Sequence, residues 1–429
     1  MKKRALLKWI LRTLARKTIQ KYEPLVIGIT GSVGKTSTKT AIGVVLTHKF
    51  NTRFSQESHN NEFGFPLGII ASWSKKELKL VSKEEPGGVR RIRKVMFYAT
   101  AIGRGVLSLL FGNKKRYPEQ LVLEYGADKP GDIDYLLNIA RPEIAVVSAI
   151  GKVPVHVEHY ENPEAVAYEK GKLVSATKKG GKVILNYDDE YMHAMSSRTK
   201  NEVITFGTTE GAMMRFLNVK TSTNNLIPTG ITFDLEYRGA STSVQLKGCL
   251  GSPHAYAAAA AAAVGVALNM KLAEIAEALK EYKAIRHRME IKKGVEGSII
   301  IDDSYNASPL STRAALEAVK QLSAKRKIGV LGDMLEIGSY ATKEHEVVGR
   351  HASDALKIIV TIGTEAHHIV EGAIKNGTPK ENIKSVETIE EAENYLKNLI
   401  KEGDLVLIKA SRAIGLERLV ERLTLKEKH

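Results

Sequence analysis

The 429 residues contain a single cysteine, Cys249. No intrachain disulfide can form, and a lone cysteine of this kind reads as a small core residue in a reducing, cytoplasmic compartment. Acid is missing from residues 1–21, which carry eight lysines and arginines. That segment is not a signal peptide: charges interrupt its apolar run and no small-residue cleavage site follows. A clear membrane span is also lacking. The longest apolar run, Val95 to Phe111, is broken by Arg104 and two glycines and is short for a bilayer crossing. The sequence has no tandem repeat, and its second half has no G-x-G-x-x-G dinucleotide fingerprint.

What remains is a soluble globular composition, 43% hydrophobic and 26% charged, long enough for two or three domains. The net charge of +16 is uneven. Residues 75–116 add twelve basic residues against three acids to the basic N-terminus, and the rest of the chain is close to neutral. Such patches suit anionic lipid or nucleic acid. No nucleic-acid reading module accompanies them, so no nucleic-acid partner is expected. In residues 1–24, Leu7, Ile10, Leu11 and Leu14 share one helical side while Lys8, Arg12 and Arg16 recur on another. Pro24 ends the helix. Two readings stand, a helix packed on its own domain and a helix lying on an anionic membrane surface. The same two stand for the basic, apolar segment 74–118, flanked by clusters at Arg90–Lys94 and Lys114–Arg116.

The stretch GITGSVGKTSTKT (Gly28–Thr40) follows a buried apolar strand, Leu25–Thr30, and opens a helix over about Lys35–Leu46. This is the setting of a phosphate loop, but its spacing is G-x-x-G-K-T, shorter than the common G-x-x-x-x-G-K-[ST]. Backbone N–H groups over Gly31–Lys35 form a nest for phosphate oxygens at a helix N-terminus. Lys35 offers a point charge to the outer phosphates, and Thr36 a hydroxyl to Mg²⁺. Further buried strands are expected at Leu121–Ala127, Ile144–Ile150 and Lys182–Asp189, with helices between, and an antiparallel β-rich segment at 202–250. An Ala-rich helix spans His254–Leu268. A second α/β unit begins near Arg286, with strands at Ser298–Ser304, Lys327–Asp333, Lys357–Gly363 and Asp404–Ser411. The fold class is α/β: a phosphate-loop ATPase domain with a mostly parallel sheet (25–285), and a Rossmann-like C-terminal domain (286–429).

The short loop resembles that of the Mur ligase and folylpolyglutamate synthetase superfamily. Five other stretches resemble the MurF type of Mur ligase in the same order: HNNEFGFPLGII (His59–Ile70), LVLEYGADKPGDIDYLLNIARPEIAVVSAIG (Leu121–Gly151), IIIDDSYNASPLSTRAAL (Ile299–Leu316), VLGDMLEIG (Val330–Gly338) and KASRAIGLERLVE (Lys409–Glu421). The resemblance runs from about Leu25 to Leu423. It implies an ATP-dependent ligase that activates a peptide carboxylate as an acyl phosphate and joins it to an amino acid or dipeptide, such as D-alanyl-D-alanine, in peptidoglycan-type precursor synthesis.

By the same resemblance Gly31, Ser32, Val33, Gly34, Lys35, Thr36 and Ser37 bind ATP, with Asn60, Asn61 and Glu62 facing the phosphates and metal. Arg288, Asp303 and Tyr305 reach ATP from the C-terminal domain. Thr36, Glu124, His156 and Lys170 hold Mg²⁺; Lys35, Glu124, His156 and Lys170 form the catalytic set. His159 competes with His156, and Lys170 is either carbamylated or a plain salt-bridging lysine. Asn306, Asp333, Glu336, Ser411 and Arg412 lie on the substrate side. Two departures stand out. Where the family has H-N-x-x-N, this chain has His254-Ala255-Tyr256-Ala257-Ala258, which alters adenine recognition. Only about 24 residues precede the first strand, so the family's UDP-gripping front domain is expected to be missing. The acceptor is then expected at the inner face of the cytoplasmic membrane, or a partner protein supplies the missing grip. A folylpolyglutamate-type ligase and a non-catalytic scaffold are the competing classes.

Overall fold

A computed structural model describes residues 2–55, 60–79, 87–225 and 227–425. His59, residues 80–86 of the basic segment and residues 426–429 lie outside the described residues, as do the side chains of Arg90 and Arg91. Nine strands form the first sheet: β1 (Leu25–Thr30), β2 (Thr52–Phe54), β3 (Gln120–Glu124), β4 (Ile144–Val147), β5 (Lys182–Asn186), β6 (Glu202–Gly207), β7 (Met214–Asn224), β8 (Ile227–Tyr237) and β9 (Ala240–Lys247). Their order is β2-β3-β1-β4-β5-β6-β7-β8-β9. Strands β1, β3, β4 and β5 are largely apolar, buried runs because both faces of this parallel region are covered. The β-rich tail alternates buried and exposed positions where β7, β8 and β9 pair antiparallel. The expectation that 202–250 is antiparallel throughout is corrected at its start. β6 runs parallel to β5, and the first residues of β7 parallel to β6.

Helices cover both faces of this sheet. On one side lie Lys35–Thr47 and the Ala-rich helix Ser252–Ala267, packed on Ile27, Ile29 and Val146. A helix apolar all round must be buried all round, and Ala257 through Val264 have almost no exposure. On the other side, Val26, Leu121 and Leu123 meet the N-terminal helix Lys2–Tyr22, the short helix Gly64–Ile70 and the long helix Gly87–Phe111. Leu11, Leu14 and Ala15 are buried there with Phe97 and Ala101. The N-terminal helix therefore packs on the body with its apolar stripe, and the long helix packs with one of its faces.

The chain passes to the second sheet through His287 and Met289, both at positive φ (62° and 49°). Its strands are β10 (Glu290–Lys293), β11 (Ile299–Asp302), β12 (Arg326–Gly332), β13 (Ile358–Ile362), β14 (Ile383–Val386) and β15 (Asp404–Lys409), in the order β10-β11-β15-β12-β13-β14. All are parallel except β10. The carboxyl ends of β1, β3 and β4 and those of β11, β12 and β15 border one cavity of about 440 Å³. Open α/β sheets bind ligands at such strand ends.

Candidate active site

The phosphate loop is held open by its own backbone. Gly31 sits at φ 146°, and a Cβ there would lie 2.1 Å from Ser148 Oγ. Ser32 N and Val33 N donate to Ala149 O, just past the end of β4. Gly34, left-handed at φ 84°, caps the helix Lys35–Thr47 without a side-chain bond. The first-turn amides of that helix thus meet the cavity, which Ser32, Val33, Gly34, Lys35, Thr36 and Ser37 line. Lys35 Nζ donates to Gly31 O at 2.8 Å. Burial lowers its pKa, opposed by the Glu124 carboxylate.

Among the described residues, three side chains converge on Glu124 at the end of β3. Thr36 Oγ1 and Lys39 Nζ each approach Oε2 at 3.2 Å, and Asn60 Nδ2 donates to Oε1 at 3.2 Å. Glu124 is only 2% exposed. Burial alone would raise its pKa, but Lys39, Lys35 and Arg288 outweigh it and hold the group ionised. Sequence reasoning missed Lys39. The signal was present: it lies four residues after Lys35 on the same helix face, and it is fully buried.

Lys170, on the helix Pro163–Ser175, is also fully buried, and Nζ donates to Ala127 O at 3.3 Å. Burial, reinforced by the charge of Lys35, lowers its pKa to about 7. A large share of its amine is therefore neutral at physiological pH. His156 takes a left-handed conformation, φ 70°. Its Nε2 lies 3.4 Å from Asp128 Oδ1, and its Nδ1 3.0 Å from Glu336 Oε2 across the cleft. His159 pairs instead with its neighbour Glu158 at 3.6 Å and does not line the cavity.

The second sheet supplies the opposite wall. Arg288 Nη2 donates to Thr36 Oγ1 at 3.3 Å, and its guanidinium stacks over Tyr305. The Arg288 carbonyl is held by His254, whose other ring nitrogen meets Tyr282 Oη. Burial keeps this imidazole neutral, its pKa lowered to about 4. Asp303 accepts from Met289 N and from Lys409 Nζ at 2.6 Å. Burial raises its pKa and Lys409 opposes the rise. Lys409 also holds Asn306 O, and Asn306 Oδ1 accepts from Arg412 N. Asn306, Glu336, Ser411 and Arg412 all line the cavity.

Gly31 and Lys170 fall outside the cavity lining, and two more expected site residues are placed elsewhere. Glu62 does not face the phosphates: Arg4 and Lys8 of the N-terminal helix draw its carboxylate away, at 3.2 and 3.1 Å. Asp333 does not face the cavity either. Its two oxygens accept from Ala366 N and Thr364 N, at 2.8 and 3.0 Å, and fasten the loop after β13.

The sequence pattern of the Mur ligase middle domain matches residues 94–265, and that of the Mur ligase, glutamate ligase domain matches residues 287–412. The UDP-N-acetylmuramoyl-tripeptide–D-alanyl-D-alanine ligase of Mycobacterium leprae is 30% identical over 426 residues, covering 93% of this chain and 73% of that one. The chain belongs to the Mur ligase family. It is an ATP-dependent, amide-forming ligase of the MurF type. This Mur ligase superposes on MurF from Acinetobacter baumannii with a TM-score of 0.76 at 25% identity, covering 96% of this chain and 80% of that one. MurF of Thermotoga maritima in complex with ADP gives a TM-score of 0.74 at 24% identity, covering 96% and 82%. The parallel sheets and the closing second domain of this ligase are thus those of its family.

Proposed function

We propose that this Mur ligase joins D-alanyl-D-alanine, or a similar dipeptide or amino acid, to the carboxylate of a peptidoglycan stem peptide. The names of its MurF relatives support this substrate pair. A carboxylate oxygen of the acceptor attacks the γ-phosphorus of ATP and the bond to ADP breaks, giving an acyl phosphate. The amine nitrogen then bonds to the acyl carbon, phosphate leaves and the amine loses a proton. The loop amides and Lys35 hold the phosphates. Arg288, arriving from the second domain beside Thr36, neutralises charge as the two anions meet.

The observation that carries this reading is the convergence of Thr36, Lys39 and Asn60 on the ionised, buried Glu124 at the mouth of a phosphate loop. The hydroxyl of Thr36 and the carboxylate of Glu124 are hard oxygen donors of the kind Mg²⁺ takes. We assign the ion to them, with His156 and a carbamylated Lys170 completing the set. When bound, Mg²⁺ screens the triphosphate from the incoming carboxylate. Carbamylation needs a neutral amine, and the lowered pKa of Lys170 supplies one. We also place the enzyme in the cytoplasm, peripheral at the inner membrane face, on the strength of its two basic segments.

The test is turnover by the full chain with ATP, MgCl₂, UDP-linked muramoyl tripeptide and D-alanyl-D-alanine. ADP release that requires both acceptor and amine, with the amide detected by mass, is expected, and Lys35→Ala abolishes it. ADP release at one rate whether or not acceptor and amine are present would overturn the reading.

A further inference from the structure

The long helix Gly87–Phe111 has two apolar faces, and the described residues of the fold cover only one. Phe97, Ala101 and Gly105 turn inward, where Gly105 meets Leu14 and Ile70. On the other side Ile92, Val95, Met96, Val106, Leu107 and Leu110 stand 40–67% exposed. Their spacing, i, i+3, i+4, i+14, i+15 and i+18, keeps them on one face, with Ala99 and Gly103 between. An added Cβ at Gly103 would meet nothing. The charges of this stretch are off the stripe: Arg93 and Lys94 follow Ile92, and Arg104 turns aside to pair with Glu77 and cover Trp73. The helix ends in an exposed basic turn, Lys114–Arg116.

We propose that this stripe is the face by which the enzyme lies on an anionic lipid bilayer, with the helix in the plane of the headgroups. The inference rests on the peripheral-membrane reading and deepens it by naming the surface and its orientation. Length and composition alone would let Ile92–Phe111 cross a membrane. The inward face rules that out in this fold, since Phe97 and Ala101 are packed on the body and the body would have to follow. An apolar stripe some twenty residues long, bordered by cations, is the signature of an interfacial helix. The cations at its edge favour anionic headgroups over a neutral surface. Trp9 and Leu6 of the neighbouring N-terminal helix are also more than half exposed, and tryptophan favours that boundary.

Co-sedimentation of the full chain with vesicles of phosphatidylcholine alone, or with about one-third phosphatidylglycerol, tests this at low salt. The wild type is expected to pellet with the anionic vesicles only. The double variant Val95→Asp, Leu107→Asp is expected to lose at least tenfold in partitioning, while its melting temperature and solution turnover stay unchanged, because both side chains point outward. Lys114→Glu with Lys115→Glu should weaken binding to anionic vesicles and shift its salt dependence. If wild type and stripe variant bind equally, this face is wrong and the peripheral-membrane reading survives. If the wild type binds no vesicle, both fall. A stripe variant that instead abolishes a concentration-dependent dimer of the wild type, with vesicle binding unchanged, assigns the face to a second copy and overturns the proposal.

Discussion

A buried carboxylate and a buried lysine, both within electrostatic reach of Lys35, are tuned in opposite directions. Glu124 stays charged because cations surround it, whereas Lys170 is driven toward neutrality by burial and by the like charge of Lys35. The first arrangement predicts that Lys39→Met raises the pKa of Glu124. The acid limb of kcat/KM against pH then moves to higher pH, as a pH–rate profile will record. A loss of kcat/KM by about 10²-fold at neutral pH is expected, the scale of a lost electrostatic partner. The second arrangement is a stability statement. A lysine whose folded-state pKa is depressed takes stability away at every pH below its unfolded value, and most fully below about 7. Lys170→Met should therefore raise the melting temperature in CO₂-free buffer, more at pH 6 than at pH 9, while turnover collapses. Calorimetric scans at the two pH values decide it, and an equal gain at both would contradict the assigned burial.

At the scale of elements, the strand-loop-helix unit was the most legible part of the sequence. LVIGIT is strand β1 from end to end, and the helix after Gly34 begins at Lys35 as expected. Its glycine spacing reflects a steric demand, since a side chain at Gly31 would strike Ser148. Gly31→Ala is expected to abolish nucleotide binding in titration calorimetry while far-UV circular dichroism stays native. The central strands of the second sheet were legible for the same reason, continuous apolar runs between turn signals. The edge strands β2, β10 and β14 were not. They have three or four residues each, half-buried at best along much of their length, and so carry little periodic signal. The site was legible where a motif fixed the residue, as at Glu124, Arg288 and Asp303. It was not legible where tertiary partners decide. Nothing in HNNEFG says that Glu62 will turn to Arg4 and Lys8, more than fifty residues away in sequence. Likewise nothing in LGDMLEIG says that Asp333 is used up on the amides of Thr364 and Ala366.

At the scale of the whole molecule, an apolar seam of Val153, Val157 and Leu250 with Met289 and Leu316 joins the two halves, and among the described residues two polar side-chain pairs cross the cleft beside it, Arg288 to Thr36 and His156 to Glu336. Glu336→Gln removes the carboxylate charge of the second while keeping its shape. Before nucleotide is added, the two domains of this variant should spend more time apart, measurable as a larger radius of gyration in solution scattering. ATP should restore the wild-type value through the Arg288 contact, and an unchanged radius without ATP would show that the second bridge does not hold the cleft.

The position of these pairs also bears on the tempo of the enzyme. They span the space between the walls where triphosphate, acceptor and amine must gather. Opening the walls to load substrates or release amide would break both pairs and turn the chain near His287 and Met289, the positive-φ residues between the sheets. A cycle that opens in this way includes a diffusive swing of a whole domain. Where that swing is slower than bond making, turnover will fall in proportion to solvent viscosity, and thickening the medium with sucrose will reveal which step keeps time.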